Sequence, residues 1–407
     1  MKQTLWSKNF TIITLGTVIS AVGGVAMGFA LGFVVFDNTG STLISALFTA
    51  VSALPRILLP VLASPYLDHF RRKPVIVGLD YLLGAIYLLF GWYLTGNSFS
   101  LPLYLLFSLL SSSIGSIYSL TYTSLYPNLI PAGFAQKGYT VSGMIYPTVT
   151  MVMTPVASIL YANLGLGPIC LGEGVLLLLA ATLETRIQVE ERARQGGRFD
   201  LRAYIRDFQE GFAYLRREKG LLRIYSYMPI TQGISEATEP LVRAWFRTAP
   251  GLSITMYALF TTAQFVGRTV GGLVHYRFEI PPEKRFSLAY MVYLTYSAMD
   301  ALLLWLGFPL MLVNRGVCGF LGINSATLRE SSVQNYLPDH MRSKINAVFN
   351  ALFALVPTVL TVAVGALGEV LDYRVCVTAV SLLGMLPCYL IVWRGREDIK
   401  KVYNRAY

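Results

Sequence analysis

The chain has 407 residues, of which 54% are hydrophobic and only 14% charged, against about 25% charged in a soluble protein. The net charge is +11, yet the cations form no nucleic-acid patch: Lys2, Lys8, Arg71–Lys73, Arg186–Arg223, Lys284, Arg285, Arg342, Lys344 and Arg394–Arg405 fall at alternate ends of long apolar blocks. This excludes a soluble globular protein and a nucleic-acid binder, and it describes a multi-pass helical membrane protein whose basic ends are retained in the cytoplasm. A β-barrel is excluded as well, because ten-residue alternating segments are absent.

Blocks of twenty or more apolar residues are long enough to cross roughly 30 Å of hydrocarbon. Twelve spans are predicted, at 10–36, 41–64, 74–94, 101–126, 139–162, 167–187, 221–247, 252–277, 286–306, 309–336, 345–370 and 375–393. The first is too long for a cleavable signal peptide. An even number puts both termini on one side, and the Lys/Arg distribution makes that side the cytoplasm of a cell-membrane protein. Asp37–Gly40, Thr95–Ser98, Asn163–Gly167 and Gly307–Pro309, on the other side, are free of cations, while Arg247 and Arg374 are exceptions there. The four cysteines lie singly inside apolar segments and read as packing residues.

The domains expected are an N-terminal six-helix half (1–187), a linker (188–220), a C-terminal half (221–394) and a cytoplasmic tail (395–407). Within the linker, Leu201, Tyr204, Ile205, Phe208, Phe212 and Leu215 recur at helical spacing, with arginines mostly elsewhere. That is an amphipathic helix, either lying on the inner leaflet among membrane lipids or binding a partner.

Between spans two and three lies a short charged turn, Ser64–Lys73, in which Asp68 precedes Arg71, Arg72 and Lys73. Its cations set topology, and the acid beside them suggests a latch. The turn has a counterpart after span eight: Asp68 and His275 are 207 residues apart, as are Pro131 and Pro338, and Lys137 and Lys344. Two copies of a six-span unit follow, with a substrate site expected between them at mid-depth.

These residues resemble the major facilitator superfamily of secondary transporters. Its loop signature, Gly-x-x-x-Asp-Arg/Lys-x-Gly-Arg-Arg/Lys, is matched at Asp68, Arg72 and Lys73, while Ser64, His69 and Arg71 depart from it. The second copy keeps Gly271 and Arg277 and has His275 for the acid. Leu5–Phe10, Asp37–Ser41, and Arg329, Gln334, Pro338, Arg342 and Lys344 look like the branch holding macrolide and siderophore exporters. The resemblance implies an all-α fold of twelve helices in two pseudo-symmetric halves, alternating access, and Asp68 contacting the start of span eleven when the inner gate is shut. A carboxylate at a helix N-terminus gains about 0.3–1 kcal/mol.

Charges inside a span cost about 2.5–3.5 kcal/mol each, so each asks for a partner or a task. Glu236, Glu239 and Arg243 share one face of span seven. Glu239–Arg243 reads as an ion pair, leaving Glu236 as a proton carrier, a counter-charge for a cationic substrate, or one half of an interhelical pair. Arg56 and Asp300 are candidates for the central cavity; Glu173 and Arg315 lie nearer the outer end, as cavity groups or an outer-gate pair; Asp80 and Arg268 are expected to brace the loop. Tyr118, Tyr122 and Tyr126 form a stripe on span four, and Tyr146 precedes Pro147, suiting either an amphipathic ligand or helix packing. Span four lacks the arginine common in proton-coupled exporters of the superfamily, and the fifth-span glycine motif is reduced to Thr154–Ser158.

The function expected is efflux of a small amphipathic molecule by a monomeric, proton-coupled secondary transporter, with another coupling ion as the variant. Nutrient uptake, or a receptor derived from the fold, is the alternative. No phosphate-binding loop supports an ATP-driven pump. No enzyme is expected, and the three histidines lack metal-ligand spacing, so no cofactor or metal is either.

Overall fold

The computed structural model describes residues 4–67, 70–131, 133–189, 201–278 and 280–405. Helices account for every regular element among them, as a chain crossing hydrocarbon requires when each backbone N–H and C=O must be satisfied within its own segment. Helices α1 (Lys8–Thr39), α2 (Thr42–Leu67), α3 (Arg72–Leu94), α4 (Leu101–Leu125), α5 (Ala135–Leu164) and α6 (Leu166–Glu184) occupy the first six predicted spans. After α7 (Leu201–Arg217) come α8 (Lys219–Thr248), α9 (Ile254–Arg277), α10 (Pro282–Leu302), α11 (Phe308–Tyr336), α12 (Asp339–Leu367) and α13 (Tyr373–Leu383). Nine of the helices among the described residues are long and apolar enough by themselves to cross a membrane. The duplicated spacing persists: α4 and α11 begin 207 residues apart (308 − 101), as do α6 and α13 (373 − 166).

Local chemistry places the ends. Ser7 accepts the Phe10 N–H at 3.2 Å to start α1, and Gly40, at φ 66°, ends it in the left-handed conformation. Ser253 caps α9 in the same way through Met256 N–H. The last span is broken: α13 stops at Leu383, and a π-helical segment, Cys388–Trp393, follows Pro387, which cannot continue an α-helical hydrogen-bond ladder.

The chain forms two compact units, Met1–Gly40 with Val51–Phe199, and Ser41–Ala50 with Asp200–Tyr407. In the first, α3 and α1 both pack on α6. Glycines permit the contact: a Cβ on Gly84 would lie 3.1 Å from Gly174 O, and one on Gly91 2.9 Å from Leu171 N. In the second, α9 packs on α11 and α8 on α12. A Cβ on Gly267 would fall 1.9 Å from Gly316 O, so only glycine allows those backbones so close. Large apolar side chains such as Trp92 in the first unit and Val359 in the second remain exposed, as helices that meet lipid tails allow.

Helix α7, expected as an amphipathic helix at the membrane surface, and the C-terminal segment, expected as a cytoplasmic tail, both pack within the second unit. Helix α7 buries Leu215, and Glu210 pairs with Lys344 of α12. Ile205 and Phe212 stay exposed, leaving an apolar edge for lipid. The C-terminal segment is a helix, Arg396–Tyr403, whose Ile399, Val402 and Tyr403 are buried with Tyr225, Tyr227 and Phe286. Arg374, the cation on the cation-poor side, lies over the Trp245 and Trp305 rings at 4.3 and 5.5 Å, so an aromatic sandwich holds its charge.

Candidate functional site

The second unit contains a cavity of about 540 Å³ lined by six ionisable residues, Glu236, Glu239 and Arg243 of α8, Arg268 of α9, Asp300 of α10 and Arg315 of α11. Tyr257, Tyr296, Phe260 and Gln264 complete its wall, giving aromatic faces beside polar ends. The charges sort themselves by distance. Arg243 pairs with Glu239 four residues earlier, and the Tyr257 hydroxyl donates to the same carboxylate at 3.1 Å. Arg315 pairs with Asp300, both nearly buried.

Two of the cavity's charges have no ionic partner among the described residues. Glu236 is exposed to the cavity and accepts only a hydrogen bond from Gln232 Nε2, at 2.8 Å. Arg268 also lines the cavity, with no ion pair. Glu236 lies 17 residues along α8 from Lys219, about 25 Å at the helical rise of 1.5 Å. A molecule with an apolar body and one charged group would find here both a counter-charge and ring surfaces to lie against.

The structure redistributes several expected residues. Arg315 pairs with Asp300, so Asp300 belongs to a local ion pair within the second unit. Arg268 lines the cavity of the second unit. Asp80 is buried, with Glu184 and Glu173 of α6 as its charged neighbours, and Asp68 and His69 of the loop it was expected to brace lie outside the described residues. Arg56 is exposed on α2 in the first unit, as is Tyr146 on α5. The Tyr118–Tyr122–Tyr126 stripe is stacked ring on ring at 5.9 and 5.3 Å. Tyr122 hydrogen-bonds Thr17 at 3.1 Å, and Tyr126 donates to Gly138 O at 2.8 Å, so the stripe ties helices together.

Asp68 and His69 lie outside the described residues, so the latch expected at Asp68 is not part of this geometry. Around it, Arg71 is the residue at the start of α3, and Lys73 Nζ donates to Thr185 O at 2.8 Å, capping the end of α6. Arg72 begins α3 itself. In the second copy, a Cβ on Gly271 would lie 2.7 Å from Phe320 O, His275 Nδ1 is 3.2 Å from Asn324 Oδ1, and Arg277 is exposed at the end of α9. Arg342 donates to Gln334 O at 3.1 Å and to Leu337 O at 3.4 Å, satisfying the last carbonyls of α11.

Sequence reasoning named Asp80 and Glu173 singly but missed Glu184 and the polar centre that the three form in the first unit. Glu173 and Glu184 are eleven residues apart on α6, three helical turns, and therefore share a face. That face meets α1 where α1 has glycine: a Cβ on Gly23 would fall 1.6 Å from Glu173 Oε2, and one on Gly16 would fall 2.9 Å from Glu184 Oε1. The eleven-residue acid spacing and seven-residue glycine spacing were the available signals.

Residues 13–350 match the Major Facilitator Superfamily. The chain belongs to that superfamily. It is 25% identical over 293 residues to macrolide efflux protein A of Streptococcus pyogenes, covering 67% of this chain and 68% of that protein, and the match to the same-named protein of serotype M6 is of the same extent. Among solved structures, the nucleoside transporter NupG superposes with a TM-score of 0.71 at 11% identity, over 95% of this chain and 98% of that one. A bacterial homologue of the iron transporter ferroportin, in an inward-facing state, gives 0.65 at 17% identity, over 96% and 99%. These likenesses show the fold. The protein is a multi-pass member of a transporter superfamily, all-α, with twelve helices in two related halves.

Proposed function

We propose that this major facilitator protein exports a small amphipathic molecule carrying a basic group, by alternating access and in exchange for protons. The observation that carries the substrate reading is the cavity of the second unit, where two carboxyls are paired with arginines and the Glu236 carboxyl has no ionic partner among the described residues beside aromatic walls. A basic group bound there gains a charge-assisted contact worth about 1.5–3 kcal/mol. The partial likeness to a macrolide efflux protein supports efflux and suggests a basic macrolide as the first compound to try. Export from the cytoplasm also requires both termini and the Asp68 turn to face the cytoplasm, as the distribution of cations supports.

The test is transport by the purified protein in proteoliposomes with a radiolabelled basic macrolide. Glu236→Gln keeps the shape of the side chain and removes its charge. The expected result is a half-saturating concentration raised roughly 10- to 150-fold, the equivalent of that contact, with flux of an uncharged analogue unchanged. Equal transport of the basic compound by wild type and variant would overturn the counter-charge assignment. Preference for uptake under every imposed gradient would favour the nutrient-importer alternative.

A further inference from the structure

The first unit holds three buried carboxyls that the substrate cavity does not use. Asp80 on α3 and Glu173 and Glu184 on α6 are 3%, 4% and 0% exposed. Each turns one oxygen, Oδ2 or Oε2, to which no described protein group donates a hydrogen bond. The contact register places them in a line. Gly84 of α3 lies against Gly174 and Leu178, and Gly91 against Leu171, so the helices run antiparallel and Asp80, one turn before Gly84, falls between Glu173 and Glu184. The glutamates are eleven residues apart, about 16 Å along the helix axis, half the hydrocarbon thickness.

What faces this line explains what it would hold. Helix α1 presents Gly16, Ser20 and Gly23 at four- and three-residue spacing, the glycines making room for the carboxyls and the Ser20 hydroxyl, itself without a protein partner, lying on the same face. From α4, the Tyr118 hydroxyl donates to Glu184 Oε1 at 3.3 Å and is also an electrostatic neighbour of Asp80. Tyr146 of α5, itself exposed, is within electrostatic range of Glu173 and Asp80, and Tyr87 of α3 of Glu173; Cys170 is one turn from Glu173 on α6. Arg56 of α2 acts on Tyr87 and Tyr146 and forms no salt bridge to any of the three acids. The carboxyls are too far apart to converge on a metal ion, since no group of three metal-binding side chains exists among the described residues.

Three carboxyls with oxygens that no described group donates to, and with no ion pair to a described guanidinium or ammonium, keep their burial by carrying protons rather than charge. We infer that Asp80, Glu173 and Glu184 form the proton-carrying site of this transporter, made of residues other than those of the substrate cavity, with the Tyr118 and Ser20 hydroxyls on the faces that meet them. Each step breaks one O–H bond and forms another, and the line ends at Glu184, the last residue of α6. The inference rests on the transporter reading for its role in coupling, while proton binding itself does not.

The experiment uses the full chain, wild type and the isosteric variants Asp80→Asn, Glu173→Gln and Glu184→Gln. Three readouts are taken: macrolide accumulation driven by an imposed pH gradient, macrolide exchange across vesicles with no gradient, and the infrared carboxyl signal of purified protein titrated from about pH 5 to pH 9. The expected result is a tenfold or greater loss of gradient-driven accumulation in each variant, exchange retained within about twofold, and a titrating carboxyl signal diminished by each substitution. Retained exchange also certifies that a variant is folded. Gradient-driven accumulation unchanged in the variants would overturn the proposal, as would a sodium gradient replacing the pH gradient in wild type. If wild type moves no macrolide in either assay but the carboxyl signal titrates and is lost in the variants, the proton site stands and the export reading fails. If exchange is active and no variant alters the carboxyl signal, the export reading stands and the site fails.

Discussion

Asp300→Asn should be among the most damaging single substitutions in the second unit, and its cost follows from geometry. The Asp300 and Arg315 side chains are only 11% and 8% exposed, and Arg315 Nε has no other protein partner. The guanidinium also lies over the Phe260 ring at 5.2 Å, a contact too weak to replace a carboxylate. Removing the acid leaves a buried cation alone, which costs roughly 3–5 kcal/mol, or two to three and a half orders of magnitude in the folded-to-unfolded ratio. Replacing both partners by apolar residues of similar volume, as in Asp300→Leu with Arg315→Met, should recover most of that loss. The four cysteines supply the assay, because all are buried, and Cys318 is one turn from Arg315. Thiol labelling in detergent under increasing heat should therefore begin much earlier in the single variant and near the wild-type temperature in the double variant. A single variant as stable as wild type would show that the pair is not desolvated. A double variant that is stable but transports nothing would show that the pair's charges serve transport as well as packing.

Further outcomes follow from other contacts. Gly267→Ala should destabilise by about 1–3 kcal/mol, because the added carbon meets the α11 backbone, whereas Gly272→Ala, with nothing within 4 Å, should be neutral in the same melt. Glu369 accepts from Leu43 N–H at 2.9 Å and from the Ser41 and Thr42 hydroxyls, capping α2, and these donors, the Leu43 N–H foremost, hold its carboxyl below the usual carboxylate range. Its contribution is therefore fully present above about pH 4.3 and lost as pH falls through the lowered value; Glu369→Gln should speed exchange of the Leu43 amide a few-fold at neutral pH, and equal rates there would refute the cap. Asp68→Asn, proposed from the loop signature, should abolish transport while the protein still reaches the membrane in wild-type amount. Full activity would remove Asp68 from the gate.

The broad architecture was legible because its causes are local. Twenty-residue apolar runs, cations at alternate ends and a 207-residue offset each report on a short stretch of chain, and the helices follow them closely. Span seven was also readable, since Glu239 and Arg243 pair within one turn. Contacts between helices were not. Nothing local in Asp300 names Arg315 as its partner across a turn, and Glu173 looked equally suited to that arginine. The grouping of Asp80, Glu173 and Glu184 was hidden for a different reason: its environment is made by absences, the missing side chains of Gly16 and Gly23, which a search for charged partners passes over. The apolar face of α7 was visible, but a lipid surface and the packed end of α12 present the same kind of face to it.

The most direct test of the whole account is to measure macrolide and proton movements together in proteoliposomes holding the wild-type protein. Vesicles with an acidic interior, given macrolide outside, should take it up while the interior loses acidity in proportion, and collapsing the pH gradient with an ionophore should stop accumulation without stopping exchange. Macrolide uptake with no accompanying proton movement would contradict the account at its centre.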